Sequence, residues 1–183
     1  MEAEQATRLG RDARTWWAGP LAVALAVATF VHLGHGADAA LFAATQIVLV
    51  ALAATDFAER RLPNVITIPT AVAALLLRVA FERSHLVEVA LAGVIAFAAF
   101  FVLALLARGG LGMGDVKLAA MLGFLLGWPV AGALALGVIA GGIAGVVLIL
   151  SSRATLRSSI AYGPYLALGG AIAIFALHPP PLV

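Results

Sequence analysis

Seven long apolar runs dictate what this chain can become. They lie at Trp16–Leu33, Ala39–Thr55, Val65–Phe81, Val89–Ala107, Leu111–Trp128, Val130–Leu150 and Ile160–Leu177, and they part at charged or Gly/Pro clusters. Most have the length a helix needs to cross about 30 Å of hydrocarbon at about 1.5 Å per residue. Strands of a membrane barrel would run to roughly ten residues and alternate polar with apolar, which these do not. The expected fold is all-α: a polytopic transmembrane helix bundle of about seven spans, six to seven in all. The fifth run is the weak one, because Asp115 and Lys117 interrupt its start. It reads as a short helix whose N-terminus opens beneath the membrane surface. Composition points the same way: the chain is 63% hydrophobic and 11% charged, whereas soluble domains run near about 45–50% and about 25%.

At 183 residues the chain is long enough for one domain. The reading is a short cytoplasmic N-terminal arm over 1–15, a single transmembrane domain over 16–178 and a tail over 179–183. The first run exceeds the roughly 7–15 residues of a signal-peptide core and lacks a small-residue cleavage pattern, so it reads as a retained span. Of the 11 lysines and arginines, nine fall on one side of the expected topology: Arg8, Arg11, Arg14, Arg60, Arg61, Arg108, Lys117, Arg153 and Arg157. Arg78 and Arg83 fall on the other. Excess loop bases mark the cytoplasmic side, so the N-terminus, Asp56 and Asp115 are all expected there. Seven spans would leave the C-terminus outside. Bases spread through loops this way are an orientation signal, and no nucleic-acid partner is read from them.

Chemistry must come from few residues. The chain contains no cysteine, which rules out disulfides, thiolate metal sites and thiol catalysis. His32 and His35 are an i, i+3 pair on the outer side without a third ligand, and His85 and His178 are isolated; no metal site is expected. Serines 151, 152, 158 and 159 have no histidine on their side, which argues against a serine hydrolase. Of nine carboxylates, only Asp56, Glu59 and Asp115 lie at the cytoplasmic membrane boundary. Ionisable groups at membrane depth are expensive and mark function. Glu59, beside Arg60 and Arg61, reads as a solvated or ion-paired charge. Asp56 and Asp115 are the candidate catalytic pair. Two carboxylates held within a few ångströms share a proton, so one takes a proton from an attacking water while the other donates to the carbonyl oxygen. No metal or cofactor is needed.

The flanking residues suit that role. Gly112 and Gly114 leave the surroundings of Asp115 bare, allowing unusual backbone angles or close approach of a substrate strand. Pro63 disfavours helix at Leu62 and turns the chain, and Asn64 suits the N-cap of the third helix. Lys117 raises the local positive potential or holds a carboxylate or lipid phosphate. Each has a plainer reading as turn chemistry, as topology-fixing charge or, for Asp115, as a structural partner of Lys117. Gly123 and Gly127 in the fifth run, with Gly137, Gly141 and Gly145 in the sixth, let helices approach closely, within the chain or in a homodimer.

Asp56 followed by Arg60-Arg61-Leu62-Pro63-Asn64 resembles the first aspartate motif of the type IV prepilin peptidases. Gly112-Met113-Gly114-Asp115-Val116-Lys117-Leu118 is similar to their GxGD motif, and Ile160-Ala161-Tyr162-Gly163-Pro164-Tyr165-Leu166-Ala167 to their Pro-containing stretch before the last helix. The resemblance runs from about Ile47 to Gly170. It implies a GxGD-type intramembrane aspartyl protease of the inner membrane, which cuts a basic leader from a prepilin at its junction with a hydrophobic helix. Asp56 and Asp115 would be catalytic. Gly112, Gly114, Lys117, Pro63 and Asn64 would support the site, and Glu59, Tyr162, Gly163 and Pro164 would contact substrate or pack beside it. Larger members carry paired CxxC sequences in an N-terminal domain tied to N-methylation. The absence of cysteine here resembles instead the compact, peptidase-only branch serving Flp-type pili and preflagellins. Expected partners are a prepilin and membrane lipids. A small proton-coupled transporter using the same aspartates is the alternative, although it would distribute acidic groups through the membrane depth. A pilus or secretion subunit without catalysis is a third reading, disfavoured by the presence of both aspartates.

Overall fold

The computed structural model describes residues 15–34, 36–81, 83–107, 111–151, 161–177 and 179–181. The N-terminal arginines 8, 11 and 14, loop residues Arg108, Arg153 and Arg157, His35, His178, serines 152, 158 and 159, and Ile160 lie outside the described residues. Seven helices appear among those described, one at each expected run: α1 (Ala18–Leu33), α2 (Ala37–Glu59), α3 (Asn64–Phe81), α4 (Leu86–Leu106), α5 (Met113–Leu126), α6 (Val130–Leu150) and α7 (Gly163–Ala176). Four of them, α2, α3, α4 and α6, are long and apolar enough to cross a membrane; α1 and α7 are shorter apolar helices.

Helix α5 has 14 residues, about 21 Å of rise. It needs no greater length because it is enclosed by protein: Leu118, Ala119, Met121, Leu122 and Leu126 are all fully buried. The large apolar side chains that remain exposed belong mostly to α1, α3, α4 and α6, such as Val31, Val65, Leu76, Leu105 and Ile143. Apolar side chains turned outward around the bundle are what a lipid-facing surface requires. The inner helices are therefore α2, α5 and α7. These are the three that carry or adjoin the three sequence motifs.

Packing divides the helices into two sets. α1 packs on α2, α2 on α7 and α7 on α6, while α3 and α4 pack on α5. α5 touches α7 across the seam, but α2 and α5 make next to no direct backbone contact. Glycines set the close approaches. A methyl on Gly123 of α5 would lie 2.5 Å from the Gly93 Cα of α4, and one on Gly137 of α6 would lie 2.9 Å from the Leu166 Cα of α7. The ladders at Gly123, Gly137 and Gly141 thus serve packing within the chain. Gly127 departs from that pattern: it ends α5 at φ 64°, a left-handed angle that favours glycine.

Arg78, read from sequence as a loop charge, is buried in the last turn of α3. Its guanidinium donates to the carbonyls of Pro180 and Pro181 at 2.7 Å each, and to Leu125 at 3.4 Å. The end of α5 and the proline tail are tied to α3 through this one side chain.

Candidate active site

Helix α2 continues past its apolar run to Glu59, so Asp56 sits inside its last turn rather than after it. The helix stops at Arg60, whose φ of 52° and ψ of 41° are left-handed and whose N–H donates back to the Asp56 carbonyl at 2.8 Å. Arg60 is the non-glycine residue with positive φ among those described, a conformation that costs a side-chain-bearing residue roughly 1–2 kcal/mol. The chain therefore leaves the helix at Arg60, ahead of the turn expected at Leu62 and Pro63. Pro63 takes the capping place at the next helix: its carbonyl accepts from Ile66 and Thr67 at 3.1 and 3.2 Å. Asn64, expected as the N-cap, is instead the first helical residue. Its side chain is thereby free of its own helix and accepts from Lys117 Nζ at 3.0 Å.

The second aspartate opens α5. Gly112 is extended, at φ −83° and ψ 153°, its carbonyl accepts from the Asp115 N–H at 3.0 Å, and its own N–H donates to Asp115 Oδ2 at 3.1 Å. Neither Gly112 nor Gly114 adopts a left-handed angle, so the expected unusual backbone is not what these glycines supply. At Gly114 the requirement is space. A Cβ there would stand 2.9 Å from the Leu62 Cβ, because Leu62 from the Arg60–Pro63 connection is seated over it. The glycine admits the neighbouring loop.

One cavity of ≈ 300 Å³ holds both carboxylates. Asp56 and Asp115 line it together with three cations, Arg60, Arg61 and Lys117, and with Leu62 and Asn64. The two aspartates are 5% and 8% exposed, and the Asp56 charge is felt at Asp115. Among the described residues each makes one side-chain hydrogen bond, through Oδ2: Asp115 to Gly112, and Asp56 to the backbone N–H of Gly163 at 3.0 Å. Gly163 has no alternative: a Cβ would fall 2.7 Å from Asp56 Oδ2. Tyr162, next to it, feels the Asp115 charge. Burial, with that charge adding to it, pushes its phenol above the ordinary range, so it stays neutral and donates to the Val138 carbonyl at 3.4 Å. Gly141 makes the room for its ring.

The remaining candidates lie elsewhere. Pro164, in the first turn of α7, borders a separate apolar cavity of ≈ 280 Å³ with Trp17, Leu49 and Ala53. Glu59 faces another, of ≈ 360 Å³, with Thr15 and Thr55. Neither lines the aspartate cavity. His32 packs edge-on against Phe175, with centroids 5.6 Å apart, and His85 pairs with Glu88 at 2.9 Å. Among the described residues no three His, Cys, Asp or Glu side chains gather as a metal site would need. Sequence reasoning named Leu62 only as a turn residue and Gly141 only as part of a helix-packing ladder; their places against Gly114 and Tyr162 exist only across the fold.

Two carboxylates in one small cavity, each with an oxygen fixed by a backbone amide, can hold a water between them and divide a proton. Comparison with known proteins bears on that chemistry. The sequence matches the type IV leader peptidase family over residues 43–150, a segment that contains both aspartates. It is 34% identical over 160 residues to the prepilin leader peptidase/N-methyltransferase of Aeromonas hydrophila, covering 83% of this chain and 54% of the relative. The like-named protein of Burkholderia pseudomallei (strain K96243) is 34% identical over 134 residues, covering 69% of this chain and 43% of its own. For that of Dickeya chrysanthemi the figures are 32% over 133 residues, 69% and 47%. The chain spans about half the length of these curated relatives. No solved structure matches it.

Proposed function

Since the chain belongs to the type IV leader peptidase family, we propose that it is a prepilin leader peptidase that works by an aspartyl dyad, Asp56 and Asp115. The observation that carries this reading is the single cavity lined by both carboxylates, which the sequence places in different helices. In the resting pair one carboxyl is ionised and one protonated. The ionised member takes a proton from water as the oxygen attacks the peptide carbonyl carbon, and the protonated member donates to the carbonyl oxygen. The tetrahedral diol then collapses: the carboxyl that took the water proton gives it to the amide nitrogen, the ionised carboxylate takes a hydroxyl proton from the diol, the C–N bond breaks, and acid and amine leave. The pair returns with one proton between them, and its titration belongs to both residues together.

The substrate is a prepilin of the Flp type: a short basic leader followed by a hydrophobic helix. The relatives' printed names support a prepilin, and the resemblance to the compact branch supports the Flp type. Asp56 and Asp115, with Glu59 at a neighbouring cavity, are the acidic groups that would meet that basic leader, and the apolar outer helix faces would meet lipid. The loop arginines support an inner-membrane orientation with the cavity on the cytoplasmic side. N-methylation is not assigned to this chain, whose sequence has no cysteine and whose dyad serves hydrolysis alone. The test is co-expression with a prepilin and electrophoresis for leader removal. Asp56→Asn and Asp115→Asn variants that still cleave at the wild-type rate would refute the dyad. Proton flux into vesicles that depends on Asp115, with no cleavage, would favour the transporter.

A further inference from the structure

The two aspartates arrive at their cavity from opposite sides of a seam. Asp56 belongs to α2, which packs on α1 and α7, and Asp115 to α5, which packs on α3 and α4 and more lightly on α7. Since α2 and α5 scarcely touch, their own packing does not set how far apart the carboxylates stand. At the mouth of the cavity two contacts, beside the packing of α3 on α5, hold the connection that leads from α2 to α3 against the start of α5. Leu62 sits over Gly114, and Lys117 Nζ donates to Asn64 Oδ1 at 3.0 Å. Asn64 is tied covalently to α2 by the four residues Arg60–Pro63, and Lys117 lies two residues after Asp115 on α5. Arg60 and Arg61 also line the cavity but make no side-chain hydrogen bond among the described residues. Arg60 acts on Asp56 through its charge, whereas Lys117 makes a directed hydrogen bond.

We infer that Lys117 is a positioning residue: by donating to Asn64 it holds the Arg60–Pro63 connection against the start of α5 and sets the separation of Asp56 from Asp115. The inference rests on the dyad reading for its kinetic consequence, though not for its geometry. A single exposed hydrogen bond contributes little to stability, so its removal leaves the bundle folded. Small displacements of reacting groups are costly to rate, up to about a hundredfold per ångström. Carboxylates that drift apart also couple less strongly, and the two limbs of their pH profile draw together.

The experiment uses the full chain in lipid nanodiscs with a synthetic peptide, a basic leader joined to a hydrophobic helix. Lys117→Met is expected to lower kcat roughly tenfold or more, to leave KM little changed and to narrow the pH profile. Lys117→Arg should recover most of the loss. Asn64→Ala should match Lys117→Met, and the double variant should be no worse than either. Because the chain has no cysteine, nitroxides placed at Phe57→Cys and Met113→Cys report the α2–α5 distance without interference. Lys117→Met should broaden that distribution. Wild-type kcat and pH width in Lys117→Met, or additive losses in the double variant, overturn the inference. If the wild-type protein cleaves no peptide, the label distance decides alone: an unchanged distribution overturns the clasp, and a broadened one upholds it while the peptidase reading falls.

Discussion

The backbone N–H of Gly163 donates to Asp56 Oδ2 at 3.0 Å, joining residues 107 positions apart in the sequence. The bond lies where α7 begins and α2 ends, and it fixes one oxygen of a carboxylate that lines the cavity with Asp115. A motif at the start of the last helix thus acts on the first aspartate through its main chain, and the side chain it lacks is the reason it can.

Gly163→Ala would place a methyl 2.7 Å from that oxygen. Forcing it in displaces the carboxylate and costs about 1–3 kcal/mol of stability. Leader cleavage should fall at least roughly tenfold while Pro164→Ala, at the neighbouring position but facing another cavity, keeps most of it. Cleavage rates of the two variants beside their melting temperatures check this, and equal losses at both positions would contradict it.

Asp56→Asn and Asp115→Asn each remove one half of the proton exchange. General acid–base groups contribute roughly 10²–10⁴-fold, so either variant should lose that much rate while eluting as folded protein in detergent. Wild-type activity should rise and fall with pH, because the working state carries one proton on the pair. Below the lower limb both carboxyls are protonated and no base remains; above the upper limb both are ionised and no donor remains. A single sigmoid in kcat/KM would contradict the paired assignment.

Gly114→Ala would bring its methyl to 2.9 Å from the Leu62 Cβ and 3.3 Å from its Cδ1. Activity should drop, and Leu62→Ala in the same chain should restore only part of it, since the nearer atom stays. Full restoration would mean that the Leu62 terminus alone is in the way.

Arg78→Met leaves the carbonyls of Pro180 and Pro181 without the guanidinium that now serves them. Hydrogen bonds to a buried charged group are worth about 1.5–3 kcal/mol each at most. Thermal unfolding should shift down clearly, by about 2–4 kcal/mol, while cleavage per folded molecule persists, because Arg78 is at the opposite end of α3 from Asn64. Activity loss without loss of stability would assign Arg78 a part in the chemistry.

Gly123→Ala sets a methyl against the Gly93 backbone at 2.5 Å. Neither helix backbone can yield, so α4 and α5 must part. A loss of about 1–3 kcal/mol or more is expected, read as a lower melting temperature. An unchanged melt would show that the helices separate without cost.

The sequence by itself determined a good deal. Apolar runs placed all seven described helices, since a helix in lipid must satisfy its backbone internally and so shows its length in the sequence. It also singled out Asp56 and Asp115, because a carboxylate beside a membrane run has few other reasons to be there. Tertiary structure alone decided which helices face lipid. In runs apolar on every side periodicity carries no direction, so α2, α5 and α7 could not be told from the outer helices. It likewise decided what each small or polar residue is for. Gly114 admits Leu62, Gly163 admits Asp56, and Asn64 accepts from Lys117 rather than capping its own helix. Such roles are distances between residues far apart in the chain, and a sequence records neighbours along the chain, not across the fold.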